Sequence, residues 1–335
     1  MYISFDLHLL LSFTTPPQTP RTMLAIFCSL FVLSTAKKGG SSWNGVKNVG
    51  EGHCHMTPSY PPPANHTLET FVIDLDKPAA DRWTEPTTKY KDIIVDIISL
   101  TIGAEYMFPF RHLVDEAGVD SLLARLPEDW GEEISAIASI LNMRTDEVFL
   151  FNLAYSLMAF CTSIVAQNDD GTIYHGRNLD FGLWPAMNLS DWQWTLTTEL
   201  RQVSFIANFT KNGTLLYQTA TYGGFIGMHT GVKPGIMTLT LDLRFDDNID
   251  KYLEDWIKTP SDNNQILVMT TRWVMENLNS FGSAVEYLRG VPLVCPAYVI
   301  IGGINPGEGA VLTYGPNLTL FDDWGYPNGW QLPSN

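Results

Sequence analysis

Between residues 90 and 160, apolar side chains recur at helical spacing. Ile93, Ile94, Ile97, Ile98 and Thr101 follow i, i+1, i+4 steps, and Ile134, Ile137, Ala138 and Leu141 repeat the pattern, so each set lines one face of a helix. Pro109, Gly118, Pro127 and Asn142 punctuate the segment. Thr145 offers an N-cap, with Asp146 and Glu147 in the first turn, where the helix dipole favours anions, ahead of an apolar run over 148–160.

Beyond Phe160 the texture changes to strands, predicted over 161–166, 172–178, 192–200, 203–209, 215–222 and 235–245. Turns fall at Asp169-Asp170-Gly171 and Asn212-Gly213. Helices return over 252–258 and 265–288, followed by strands over 297–302 and 309–314. Ile266, Met269, Trp273 and Val274 make an apolar stripe that reads as core. Residues 37–65 are rich in Gly, Ser, Pro and His without periodicity and read as an extended lead-in. Helices, then strands, helices and strands again predict an α+β sandwich whose sheets are covered by helices.

Composition narrows the setting. A chain of 335 residues, 45% of them hydrophobic, can bury one large core. With 36 acidic against 20 basic side chains its net charge is -16, which repels phosphate backbones and argues against a nucleic-acid partner. An acid compartment suits such a surface, because protonating carboxylates relieves self-repulsion. No phosphate-loop or dinucleotide fingerprint occurs; the glycine-rich turn at 302–309 lacks the required Lys.

Arg21 and Thr22 lead into the short apolar run 23–33, followed by Ser34-Thr35-Ala36. That is the pattern of a signal peptide over 1–36, cleaved after Ala36, with Met23 as an alternative start. Secretion gives meaning to sequons at Asn65, Asn188, Asn208, Asn212 and Asn317 as sites of N-glycosylation. Cys28 leaves with the signal, and Cys54, Cys161 and Cys295 remain, so at least one thiol cannot pair within the chain.

Cys161 lies where the helical segment meets the first strand. If 168–171 forms the hairpin loop, Gln167 faces Thr172 and Cys161 faces Asn178, with Arg177 and Asp180 flanking the strand start. A cation there favours thiolate, and a carboxylate can hold an amine. A cysteine in an apolar strand is more often a small buried hydrophobe, and Arg with Asp three residues on is usually an ordinary ion pair. The wider string changes the balance. Cys161-Thr162-Ser163-Ile164-Val165-Ala166 followed by His175-Gly176-Arg177-Asn178-Leu179-Asp180-Phe181-Gly182 resembles the amidase family that contains acid ceramidase and N-acylethanolamine acid amidase. The likeness runs from about Tyr60 through Thr313 and includes Gly223-Gly224-Phe225-Ile226-Gly227-Met228-His229-Thr230-Gly231 and Lys233-Pro234-Gly235.

The resemblance implies an N-terminal nucleophile hydrolase: an αββα sandwich with a helical pro-segment, 37–160, separated from a catalytic segment, 161–335, by autoproteolysis between Phe160 and Cys161. It implies Cys161 as nucleophile, with Arg177 and Asp180 as its partners. The freed α-amine of Cys161 then serves as base; its ordinary pKa is about 7.7–8.0, so acid conditions require burial or Arg177 to lower it. No metal or organic cofactor is implied. The expected substrate is a lipid amide met at a membrane or on a lipid-presenting protein: ceramide, cut to sphingosine and fatty acid, or an N-acylethanolamine. The Trp192–Phe209 region and Lys233-Pro234-Gly235 favour ceramide. The two cut chains are expected to stay together in a lysosomal or secreted enzyme.

Two departures stand out. Where the family carries a Glu, this chain has Leu243, and the neighbouring Asp242 projects to the opposite strand face in ideal geometry. At the end, Asn335 takes the place of an active-site Asn imperfectly, and the family's later Arg, closing strands and partner for Cys54 are absent from the pattern. A C-terminally truncated, inactive lipid-binding glycoprotein is therefore the alternative expectation.

Overall fold

The computed structural model describes residues 68–104, 107–181, 187–188, 193–244, 246, 248–260, 263–315 and 330–332, with backbone alone at 158–160, 180–181, 187–188, 193–195, 197 and 330. These residues belong to the larger of two units, 67–335. The expected signal peptide, the lead-in, Asn65, Asn317, Asn335 and Cys54 lie outside them.

The first element was not expected. Glu69–Asp74 (β1) alternates buried Phe71 and Ile73 with exposed Thr70 and Val72. Short helices follow at Ala79–Arg82 (α1) and Thr84–Lys89 (α2), then Lys91–Ile102 (α3), Phe108–Ala117 (α4), Val119–Leu123 (α5), Trp130–Leu141 (α6) and Thr145–Met158 (α7). The stripes read from the sequence are the buried ones: Ile94, Ile97, Ile98 and Thr101 on α3, and Ile134, Ile137, Ala138 and Leu141 on α6. Asn142 stops α6 in the left-handed region, φ 57°, which its short polar side chain tolerates. The start of α7 differs from expectation. Thr145 is its first helical residue, and Glu147 reaches back to accept the Arg144 N–H at 2.9 Å.

From α7 the chain runs directly into Ala159–Gln167 (β2) and returns as Ile173–Phe181 (β3). The hairpin loop is one residue longer than the sequence suggested, because Asp170 accepts the Thr172 N–H and Asn168 N–H bonds Thr172 O. Gln167 therefore pairs with Ile173, Cys161 with Leu179, Ser163 with Arg177 and Phe160 with Asp180. That shift has a chemical consequence: it puts Arg177 on the same face as Cys161.

After two-residue bridges at Met187–Asn188 (β4) and Gln193–Trp194 (β5), the predicted strand 192–200 is instead a helix, Thr195–Gln202 (α8). Its threonines suggested β structure, but Leu196 and Leu200 bury one helical face. The large sheet continues with Ser204–Lys211 (β6), Thr214–Tyr222 (β7), Thr230–Lys233 (β8) and Met237–Leu243 (β9). Ile249–Lys258 (α9) precedes Leu267–Asn277 (α10) and Phe281–Gly290 (α11), two helices where the sequence suggested one; Ser280 divides them by accepting the Ser283 N–H as an N-cap. Ala297–Gly302 (β10) and Gly309–Tyr314 (β11) match expectation, and Trp330–Gln331 (β12) completes the order β1-β6-β7-β8-β9-β10-β11-β12.

One face of this sheet, bearing Phe205, Phe209, Tyr217, Leu239, Leu241, Val299 and Leu312, is buried. α10 and α11 pack on the sheet, and Trp83 packs edge-on against Phe209. The hairpin of β2 and β3 packs over β9, β10 and β11 on the opposite face. The result is an α+β sandwich, helices on sheet on hairpin. Segments before and after residue 160 share its core, since β1 pairs in parallel with β6 along all six residues. No described helix is long and apolar enough to cross a membrane.

Candidate active site

Along β2 the side chains alternate. Cys161, Ser163 and Val165 face the large sheet, while Thr162, Ile164 and Ala166 face solvent. Arg177 on β3, diagonal to Cys161, shares the inner face. Its Nη2 donates to the Cys161 Sγ at 3.0 Å, to the Tyr155 hydroxyl at 2.7 Å and to the Leu241 carbonyl at 2.8 Å. Tyr155, buried on α7, lies 3.4 Å from the sulfur and donates to Leu241 O. The last turn of the helix before the junction and the first residue of the strand after it therefore meet at one sulfur.

The guanidinium is held from its other side as well. Nη1 donates to Thr230 Oγ1 at 2.6 Å and lies 3.1 Å from His229 Nδ1, which must accept because Arg has only donors. That assigns the His229 proton to Nε2. His229 is buried and stacked among Tyr155, Tyr222 and Phe225. Burial, then the Arg177 charge, holds its pKa well below the ordinary imidazole value. Burial likewise raises the Tyr155 phenol, so this hydroxyl stays protonated.

Asp242 on β9 completes the charge pattern. Its Oδ1 lies 3.5 Å from Arg177 Nε and is hydrogen-bonded to Ser163 Oγ at 2.8 Å. Arg177 Nε itself has no hydrogen-bond partner among the described residues. Burial opposes the Arg177 charge, but Tyr155, Cys161 and Asp242 together hold its pKa above the ordinary value. For Asp242, burial outweighs Ser163 and Arg177 and raises the carboxyl. The guanidinium thus brings an incompletely neutralised positive charge to the sulfur, the condition under which a thiolate forms.

Of the residues expected from sequence, Cys161 and Arg177 come together. Asp180 sits opposite Phe160 in the register, beside the junction, with its backbone alone described. Among the sequons, Asn212 occupies an exposed turn, whereas Asn208 is half-buried in β6 and accepts from Gln218. Cys295 is a buried thiol pushed up to about 12 by burial. Among the described residues no three His, Cys, Asp or Glu gather as metal ligands.

A family model for linear amide C–N hydrolases, the choloylglycine hydrolase family, matches residues 161–308 and so begins at Cys161. Acid ceramidase of Rattus norvegicus is 32% identical over 249 residues, a match taking in 72% of this chain and 62% of that protein. Acid ceramidase of Homo sapiens is 33% identical, covering 76% and 66%. A probable acid ceramidase of Caenorhabditis elegans is 31% identical over 273 residues, 78% of this chain and 67% of the relative. The chain belongs to the acid ceramidase family. It spans 62% of the length of the rat acid ceramidase. A solved N-acylethanolamine-hydrolyzing acid amidase ortholog of Caenorhabditis elegans aligns with TM-score 0.38 and 31% identity over 46% of this chain and 59% of that one.

In this acid ceramidase family member, sequence reasoning gave no role to Tyr155, His229 or Thr230. His229 and Thr230 stood inside the glycine-rich string that carried the family likeness, whereas Tyr155 was hidden in the apolar run that ends α7.

Proposed function

We propose that this chain is a cysteine amidase that hydrolyses ceramide to sphingosine and a fatty acid. The observation that carries the reading is the Arg177 guanidinium 3.0 Å from the Cys161 sulfur, on a strand whose first residues follow a helix without a loop. Support also comes from the family model's start at Cys161 and from the acid ceramidases to which the chain is similar.

Cleavage of the Phe160–Cys161 bond frees an α-amine on the residue that carries the thiol. The amine accepts the thiol proton, and Arg177 stabilises the sulfur anion that attacks the amide carbonyl. The protonated amine then gives its proton to the departing sphingoid nitrogen, and water, deprotonated by the same amine, hydrolyses the thioester. Asp180, opposite Phe160 across the hairpin, is assigned to hold the ammonium form. By family likeness, Asn335 would donate to the tetrahedral oxyanion. Tyr155 and His229 hold the guanidinium fork in place. The signal-peptide pattern and the sequons support a place in the secretory pathway, lysosomal or secreted, with cut chains remaining associated through the core they share.

The test is purified protein on a denaturing gel, together with turnover of ceramide at acid pH. Two fragments divided at Cys161 and release of fatty acid are expected. Cys161→Ala should remain a single chain and release none; turnover persisting in that variant overturns the reading. Faster release from an N-acylethanolamine reassigns the substrate, and an uncut chain that binds lipid without turnover makes it a binding glycoprotein.

A further inference from the structure

Behind Arg177, polar side chains line the space between hairpin and sheet in an unbroken series. Asp242 Oδ1 lies 2.8 Å from Ser163 Oγ, Ser163 Oγ 2.9 Å from Thr240 Oγ1, and Thr240 Oγ1 2.8 Å from His175 Nε2. His175 Nδ1 lies 2.7 Å from Thr238 Oγ1, whose own hydrogen goes to the Gly302 carbonyl. A carbonyl cannot donate, so Thr238 accepts and His175 Nδ1 carries a proton.

Counting hydrogens along the rest leaves two fully bonded arrangements. In the first, Asp242 is ionised; Ser163 donates to it, Thr240 donates to Ser163, and His175 donates from both nitrogens as imidazolium. In the second, Asp242 is protonated and donates to Ser163, Ser163 to Thr240, and Thr240 to the Nε2 of a neutral His175. Both hold the same number of protons. To pass from second to first, the carboxyl proton moves to Ser163 Oγ as the serine proton moves to Thr240 Oγ1 and the threonine proton to Nε2. Removing one proton altogether leaves a hydrogen bond unmade, which a buried series resists.

We propose that His175, Thr240, Ser163 and Asp242 form a relay carrying one shared proton between the imidazole and the carboxyl group beside Arg177, and so set how much of the Arg177 charge reaches Cys161. With the proton on Asp242, the guanidinium faces a neutral partner and its charge acts on the sulfur. With Asp242 ionised, the carboxylate 3.5 Å away offsets it. Burial, then Arg177, pushes half-buried His175 down to about 4, and burial pushes Asp242 up, so both shifts draw the shared proton toward Asp242. Among the described residues, the titratable and charged groups facing the relay are Cys161 on β2, Arg177 on β3 and Tyr298 on β10, the register partner of Asp242. His229 and Tyr155 act on it through Arg177.

The proposal rests on the reading of Cys161 as nucleophile, and its test separates the two. In full-length protein labelled with nitrogen-15 histidine, with His175→Gln for assignment, His175 is expected to remain the neutral Nδ1–H tautomer through the range where a histidine ordinarily charges. Iodoacetamide alkylation of Cys161, followed by mass spectrometry of its peptide, reads thiolate against pH without requiring turnover. Asp242→Asn keeps a donor but fixes the site neutral at every pH, whereas the native carboxyl is neutral only while it holds the shared proton; its Cys161 profile should match wild type at the acid end and run about one pH unit lower, a tenfold gain in thiolate, once that proton is lost. Ser163→Ala should uncouple the ends, so that the His175 signals no longer respond to Asp242→Asn. A His175 that titrates near its ordinary value, with an unmoved Cys161 profile in Asp242→Asn, overturns the relay even where ceramide is turned over. A moved profile without ceramide turnover upholds the relay and removes the amidase reading.

Discussion

Two buried arginines in this fold are held in opposite ways. Arg272 on α10 donates to Glu133 through both Nη atoms at 2.6 and 2.8 Å and to Glu276 through Nε at 2.7 Å, with its guanidinium over Trp130 and Phe209. Arg177 makes no hydrogen bond to a carboxylate among the described residues; Asp242 is 3.5 Å away, and the contacts of its Nη atoms are hydroxyls, a carbonyl, an imidazole and a sulfur. The first arrangement neutralises its charge and leaves nothing to act on a substrate. The second preserves the charge in a fixed direction. Glu133 also accepts from Arg82 and from Trp83 Nε1, so this cluster joins helices before residue 160 to one after it. A neutralised pair serves cohesion of the two segments; a partly neutralised one serves chemistry at the point where they meet.

The largest effect is expected where neutralisation is removed. Glu133→Ala removes the bidentate partner of fully buried Arg272 and the acceptor of the Trp83 indole N–H, while Arg82 keeps Asp129, and breaking such a buried pair typically costs about 3–5 kcal/mol. Against a typical total of about 5–15 kcal/mol, urea unfolding should shift far toward the unfolded state. A loss under about 1 kcal/mol would mean that the cluster is not the anchor described.

Arg177→Lys tests the other side. Lysine keeps the charge but loses the planar fork that reaches Thr230, Tyr155, Leu241 and Cys161 together. Turnover and Cys161 alkylation should both fall, turnover by about two to three powers of ten, the usual cost of losing one electrostatic donor. Unfolding stability should change far less than in Glu133→Ala. Equal losses of stability in the two variants would erase the distinction.

Acid separates the regions more gently. His175 has its pKa lowered from 6.5 to about 4, and His229 is held well below the ordinary imidazole value by burial and then the Arg177 charge, so the unfolded chain takes up protons that the folded chain refuses. Their stabilisation is complete above about pH 6.5 and is lost as pH falls toward 4, at up to about 1.4 kcal/mol per pH unit for each proton. Asp242, raised when folded, works in the opposite sense and gains stability on acidification. Urea midpoints across this window should fall with pH, and His229→Gln should flatten the slope. An unchanged slope in that variant would show that His229 takes up its proton in the folded state.

How much of this could be read from the sequence depended on how local the signal was. The apolar stripes of α3 and α6 and the strands of β10 and β11 were legible because periodicity survives without knowledge of neighbours. The helix α8 was not, since Thr195, Thr197 and Thr198 fit a strand by propensity and only burial of Leu196 and Leu200 decides for a helix. Cys161 and Arg177 were found through their motif and expected side by side, but from a register one residue short; the Asp170 turn lengthens the loop by one residue and puts both on one strand face. Asp242 was weighed as a poor replacement for a carboxylate at position 243. The alternation that placed it on the other face is what points it at the hairpin, and only the packing of β2 on β9 makes that the useful face.

The smallest predicted effect probes how finely the Arg177 fork is set. Thr230→Val keeps the size and branching of the side chain but removes the hydroxyl that accepts from Nη1 at 2.6 Å. Among the described residues Nη1 then keeps His229 Nδ1 alone, whose own contact with the Thr230 hydroxyl is lost in the same substitution. A buried hydrogen bond to a charged group is worth about 1.5–3 kcal/mol, and the surviving His229 contact should recover part of it. A stability loss near 1 kcal/mol is therefore expected. The Cys161 alkylation rate should fall about three- to tenfold, as Nη2 is held less firmly against the sulfur. The paired arginine offers a control of matched kind: Glu276→Gln removes the carboxylate charge facing Arg272 Nε but leaves Glu133 bidentate, and should leave Cys161 alkylation unchanged. If Thr230→Val behaves like Glu276→Gln at the sulfur, Nη1 is not what orients the guanidinium, and the orienting role passes to Tyr155 and the Leu241 carbonyl.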